Sequence, residues 1–153
     1  MRQSFDLNAW LMDTYSLGDV TSELIRSYTN DVFLIRTRSE RFVLKFYGLG
    51  WRTKSEIQYE VALLEHLSGK GLRVANIIPD PEGSRIHKIT WPEGEQYAVL
   101  FEYAEGSKPQ PPFSEPLYDV FGQAIGRMHD LSDDFVDRYD RKPLDIDTLI
   151  HAR

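Results

Sequence analysis

Cysteine is missing from all 153 residues. Disulfides, zinc–thiolate sites and cysteine nucleophiles are therefore excluded, and a reducing compartment is compatible with the chain. Basic residues are in the minority. Lys and Arg number 18 against 24 Asp and Glu, for a formal net charge of -6, and they form no obvious cluster. That argues against nucleic acid as a partner. No apolar run approaches the roughly 20 residues that a membrane-spanning helix needs. The opening Met1-Arg2-Gln3-Ser4-Phe5-Asp6 lacks the apolar core of a signal peptide. The expectation is a cytoplasmic protein with no membrane partner. Internal repeats and low-complexity tracts are absent as well. What remains is ordinary globular composition, 41% hydrophobic and 27% charged, in a chain long enough to bury a real core.

The apolar pattern changes period several times. Leu7, Trp10, Leu11 and Tyr15 fall at helical spacing, and Gly18 stops the pattern. Leu24–Arg26 and Val32–Ile35 then read as strands around a polar turn, Ser27 to Asp31. A second turn, Arg36 to Arg41, leads into the strand Phe42–Tyr47, so three strands make an antiparallel meander. Thr53-Lys54-Ser55-Glu56 is a capping box, and the helix it opens carries Ile57, Val61, Leu64 and Leu67 on one face. Ser68-Gly69 and Gly71 end that helix. Two more strands follow, Arg85 to Thr90 and Tyr97 to Phe101, around a turn at Pro92–Glu95.

Gly106, Pro109, Pro111 and Pro112 then make a stiff, extended linker. Beyond it Ser114 caps a helix with Leu117, Val120, Phe121, Ala124, Ile125, Met128 and Leu131 at offsets 0, 3, 4, 7, 8, 11 and 14. Leu144 to Ile150 suggests one more helical turn. The order predicts an α+β lobe, a five-stranded antiparallel sheet with one packed helix, joined to the first helix of something else. A long apolar stripe beyond a proline linker normally packs on other helices. Here it is expected to be exposed, to self-associate through residues 114–132, or to fold back on the lobe.

Two charged residues stand out. Lys45 sits between Leu44 and Phe46 and so points to the opposite face of the strand from them. By itself that is more often the pattern of a protective edge lysine. Glu60 lies on the next helix, 15 residues on, in register between Ile57 and Leu64. Packing that helix on the sheet would bring the two into an ion pair that fixes the ammonium, as kinase-like enzymes do to set a lysine against nucleotide phosphates. The alternative for Glu60 is a solvated helix flank. Ser27, Thr29 and Asn30 offer hydroxyl, amide and backbone N–H donors to phosphate. Glu102-Tyr103-Ala104-Glu105-Gly106 joins the apolar strand to the linker, where an adenine ring could bond to backbone groups.

Taken in order, "SYTNDVFLIRT", "RFVLKFY", "SEIQYEVALLEHL", "YAVLFEYAEG" and "GQAIGRMHDLSDDF" resemble the aminoglycoside phosphotransferase group, which includes choline-kinase-like and homoserine-kinase-like enzymes. The resemblance runs from about Asp6 to the end of the chain. It implies a protein-kinase-like N-lobe in residues 1–103, a hinge in 104–112, and the incomplete start of a helical C-lobe in 113–153. It further implies Lys45 as the phosphate-binding lysine with Glu60 as partner, Ser27 and Asn30 in the phosphate loop, and the Glu102 carbonyl and Ala104 N–H at the adenine edge. The implied ligand is ATP or GTP. The acceptor would be a hydroxyl of an aminoglycoside-like or amino-alcohol molecule, with Mg2+ expected only in the intact enzyme.

The sequence departs from that family at one place. The family's His-Gly-Asp catalytic loop and later metal-binding Asp have no match. Gly18-Asp19 is misplaced, and His129-Asp130 belongs to the linker-proximal helix. Asp145-Ile146-Asp147 falls where the family has not yet reached its catalytic loop, so it is not read as a metal site. No catalytic residue is assigned, and the chain is expected to be inactive alone. The alternative is a non-catalytic nucleotide-binding or protein-interaction module.

Overall fold

The computed structural model describes residues 5–136, 138–143 and 145. The helical turn expected over Leu144–Ile150 lies outside them, apart from Asp145. The described residues form eight elements: α1 (Leu7–Tyr15), β1 (Thr21–Ser27), β2 (Asn30–Arg36), β3 (Arg41–Tyr47), α2 (Lys54–Gly69), β4 (His87–Trp91), β5 (Gly94–Glu102) and α3 (Glu115–Ser132). The strands form one antiparallel sheet in the order β1-β2-β3-β5-β4. This is the α+β lobe the sequence pattern predicts.

Strand alternation sorts the core into two layers. From β3, Phe42, Leu44 and Phe46 go to one face, where they meet Leu11 and Tyr15 of α1 together with Ala98 and Leu100 of β5. Tyr47 goes to the other face with Val99 and Phe101, against Ile57 and Val61 of α2. The sheet therefore has a helix on each side, and α1 is a packed helix in addition to α2. Fully buried side chains such as Leu44, Ile57 and Leu100 are each worth about 1.5–3 kcal/mol in area removed from water.

Local chemistry fixes the helix starts. Asp6 caps α1 by accepting from Ala9 N–H at 3.0 Å. The expected capping box opens α2: Thr53 Oγ1 accepts from Glu56 N–H at 3.2 Å, and Glu56 Oε2 accepts from Thr53 N–H at 2.9 Å. Ser114 does stand at the N-cap of α3, but its side chain makes no cap bond there.

Several boundaries differ from the sequence reading; β1, for one, begins at Thr21 rather than Leu24. The first turn is only Tyr28-Thr29, because Asn30 and Asp31 are drawn into β2 by pairing with Tyr47 and Phe46. β4 begins at His87, not Arg85. The turn after it shortens to Pro92-Glu93, since Trp91 pairs with Gly94. In each hairpin, register along the neighbouring strand overrides polar composition.

The outer hairpin is irregular. Its β1–β2 register shifts between Leu24 and Arg26, leaving Ile25 as an extra residue in a bulge. α3, finally, has no buried residue, and Val120 and Phe121 of its stripe are each 64% exposed.

Candidate functional site

Lys45 lies on the α2 face of β3, with Val32 and Val99 as its cross-strand neighbours. A lone ammonium between two valines would be poorly compensated. Glu60 supplies the partner: Lys45 Nζ donates to Glu60 Oε1 at 2.8 Å. The lysine side chain is 22% exposed and the glutamate 38%, so the pair lies at a rim, open enough to be reached and sheltered enough to be ordered. The ammonium also stands 4.1 Å from the centre of the Tyr47 ring, a cation–π contact. Tyr47 itself is buried, and its hydroxyl makes no hydrogen bond of ordinary geometry. Burial, and after it the neighbouring Glu60 carboxylate, push the Tyr47 pKa well above its usual value.

The helix that carries Glu60 is itself anchored by charge. Arg52 Nη1 donates to Glu56 Oε1 at 3.1 Å. Burial works against the Glu56 charge, but the Thr53 N–H and the Arg52 guanidinium outweigh it and hold the carboxyl below its usual pKa.

The turn residues divide. Asn30 pairs with Tyr47 and shares the Lys45 face. Its Oδ1 accepts from Gly48 N–H at 3.2 Å. Gly48 is needed there, because a Cβ would lie 2.2 Å from the Thr29 carbonyl oxygen. Ser27 pairs with Asp31, which pairs with Phe46 on the α1 face. Its hydroxyl donates to Asp31 Oδ1 at 2.5 Å. The structure therefore brings Lys45, Glu60 and Asn30 to one face and turns the Ser27 side chain to the other. The bulge at Ile25 causes this, because one extra residue reverses the alternation beyond it.

At the other end of the sheet, Glu102 closes β5. Its N–H donates to Asn76 C=O at 2.8 Å, and its Oε2 accepts from Asn76 Nδ2 at 2.8 Å. Ala104 follows in the exposed connector and lines, with Glu102, a groove of about 650 Å³. A second groove, of about 680 Å³, runs under the Tyr28-Thr29 turn past Asn30 and Gly48. Neither is lined by Lys45 or Glu60.

The sequence reading missed Arg41. One of its guanidinium nitrogens donates to both Glu105 oxygens, at 2.6 and 2.7 Å, and the group stacks 4.2 Å from the Tyr103 ring centre. This ties the connector to the start of β3. The partners are 64 residues apart, and no short-range pattern announces them. Among the described residues, no group of three His, Asp or Glu could hold a metal, and no helix is long and apolar enough to cross a membrane. Asp147 of the Asp145–Asp147 pair lies outside the described residues. The Lys45 ammonium, fixed by Glu60 at a partly exposed rim, is of a kind suited to holding an anion.

The phosphotransferase enzyme family model matches residues 21–153. An uncharacterised protein of Deinococcus radiodurans is 33% identical over 124 residues, which cover 80% of this chain and 35% of that protein. A homoserine kinase of Rhizobium etli is 24% identical over 128 residues, covering 82% of this chain and 38% of the enzyme. Among solved structures, a microcompartment-associated aminopropanol kinase superposes with TM-score 0.79 at 17% identity. An amicoumacin kinase in complex with AMP-PNP and Ca2+ does so with TM-score 0.77 at 22% identity. These cover 93% and 92% of this chain but 45% of each kinase chain. The lobe thus has the fold of the corresponding part of those kinases. The chain spans little more than a third of the length of the curated relatives it matches.

Proposed function

The chain belongs to the phosphotransferase enzyme family, and on that premise we propose that it is the nucleotide-binding lobe of a small-molecule kinase. The whole enzyme would move the γ-phosphate of ATP or GTP to a hydroxyl of an amino-alcohol or aminoglycoside-like acceptor. In this reading residues 1–103 form the nucleotide lobe, 104–112 the hinge, and 113–153 the beginning of a helical lobe. Lys45 receives the α- and β-phosphates. Glu60 holds its ammonium in place, so that little orientation is lost when the nucleotide arrives. The backbone of Thr29 and Asn30 covers the phosphates. Ser27 contributes through its main chain only, because its side chain is turned away. The Glu102 carbonyl and Ala104 N–H would meet the adenine edge.

The observation that carries the proposal is the 2.8 Å Lys45–Glu60 pair bridging β3 and α2. These 153 residues contain no His-Gly-Asp triplet. Their share of the reaction is therefore binding and orientation, and the chain is expected to be inactive alone. Mg2+ is expected only in the intact enzyme.

A thermal-shift titration with Mg-ATP and Mg-GTP, on the wild type and on Lys45→Ala, tests the proposal. Nucleotide should raise the wild-type midpoint by mass action, and the rise should vanish in the variant. A rise of equal size in Lys45→Ala would remove the lysine from the site. No rise in the wild type at millimolar nucleotide would remove the reading for this chain.

The exposed stripe on α3 favours a second reading, an interaction module that self-associates through residues 114–132. It predicts a dimer by sedimentation velocity that Phe121→Lys converts to a monomer. A wild-type monomer at all concentrations sinks it.

A further inference from the structure

Glu60 is held by more than its sheet. α2 and α3 are in contact, and among the described residues no other element packs on α3 to a comparable extent. The contact sits on one side of α2, where Tyr59, His66 and Lys70 fall at i, i+7 and i+11 and so share a face. His66 Nε2 stands 3.0 Å from the Leu131 carbonyl oxygen and 3.2 Å from Asp134 Oδ1. Both neighbours are acceptors, so Nε2 carries the proton. Lys70 pairs with the same Asp134. The Phe135 ring meets Tyr59 edge-on at 5.5 Å and lies 5.2 Å from the His66 ring. Arg141 stacks on the Tyr59 ring from further along the chain, 4.8 Å from its centre. Glu60 follows Tyr59 directly, about 100° round the helix. The side chain gripped by Phe135 is thus next door to the one that grips Lys45.

We propose that Asp134 and Phe135 are positioning residues: by holding Tyr59, His66 and Lys70 they set where Glu60 stands against Lys45, and so tune nucleotide affinity from the far side of α2. This rests on the nucleotide-lobe reading of the chain. A helix braced on one flank by the sheet and on the other by the segment after α3 cannot shift or rotate without giving up one set of contacts. Whatever moves Leu131, Asp134, Phe135 and Arg141 therefore moves the glutamate. The coupling runs through one helix, α2, whose position both sets of contacts bias.

The test is a double-mutant cycle read by calorimetric titration with metal-free ADP. Phe135→Ala, Asp134→Asn and His66→Leu should each raise Kd about three- to tenfold, and His66→Gln, which keeps a donor, should recover most of the loss. In a Glu60→Gln background the same substitutions should have no further effect, since the group they position is gone. Unchanged Kd in the single variants, or an equal factor in both backgrounds, overturns the proposal. Asp134 is two-thirds exposed, so its variant is expected to fold whatever happens to the others. Hydrogen exchange of the α2 amides, measured without nucleotide, separates the clamp from the nucleotide site. If the wild type binds no ADP, the nucleotide reading fails, and exchange alone decides the clamp: faster exchange around Glu60 in Phe135→Ala supports it, and unchanged exchange overturns it.

Discussion

Replacing Gly48 with alanine should disturb the Tyr28-Thr29 turn while leaving the chemistry of every side chain in place. The added Cβ would fall 2.2 Å from the Thr29 carbonyl oxygen, so that atom must retreat by about 1 Å to reach an ordinary van der Waals separation. The obstacle is backbone and cannot rotate out of the way. The Gly48 N–H also donates to Asn30 Oδ1, so any retreat of the turn stretches the bond that holds the Asn30 side chain. Overpacking of this kind costs about 1–3 kcal/mol. For a chain near 150 residues, each kcal/mol lowers Tm by about 2–4 °C, giving an expected loss of about 2–12 °C by calorimetry. Gly18→Ala is the control, since its Cβ would meet nothing within 4 Å and the change should stay within about 0.5 kcal/mol. Nucleotide-induced stabilisation should fall as well, because the proposed site puts the turn over the phosphates. Equal Tm values for the two variants would refute the steric reasoning. A lowered Tm with full nucleotide stabilisation would refute the placement of the turn.

Two further predictions concern the helices. Glu56 has its pKa held below the ordinary carboxylate value by the Thr53 N–H and Arg52, so its stabilising contribution is complete above that ordinary value and is lost as pH falls through the depressed one. Glu56→Gln should cost about 1 kcal/mol at neutral pH, and its urea-unfolding free energy should converge on the wild type's as pH falls below the ordinary carboxylate range; parallel curves across the whole titration would show that the charge contributes nothing. Gly126→Ala, on a site of α3 with open space around it, should raise stability by about 0.5–1 kcal/mol; a drop would mean that something packs against that face in solution.

The parts of this molecule that were legible in the sequence are those encoded by near neighbours. The Leu44-Lys45-Phe46 alternation announced the lysine's face, the Thr53–Glu56 spacing announced the start of α2, and Ile57 with Leu64 announced which way Glu60 would turn. Each signal spans a strand or a helix turn. What stayed hidden depends on register or on distant chain. The polar composition of Ser27–Asp31 reads as a long turn, yet Asn30 and Asp31 are claimed by β3. Ser27 reads as a phosphate-loop side chain, yet a single unpaired residue upstream reverses it, and nothing in Leu24-Ile25-Arg26 marks which residue will be unpaired. Arg41 with Glu105, and Lys70 with Asp134, each join residues 64 apart. Their geometry exists only once the sheet and α2 are assembled.

The bulge at Ile25 also bears on how the protein behaves among its own copies. β1 is an outer strand of the sheet, and Leu24 and Ile25 are each about half exposed. A straight, apolar outer strand is a template on which a foreign strand can add, and then another, until a fibril grows. The extra residue at Ile25 bends this border and breaks its even spacing of donors and acceptors. The irregularity that turns Ser27 away from the lysine thus also interrupts a template for strand addition, and excising Ile25 should straighten the edge and open it to growth.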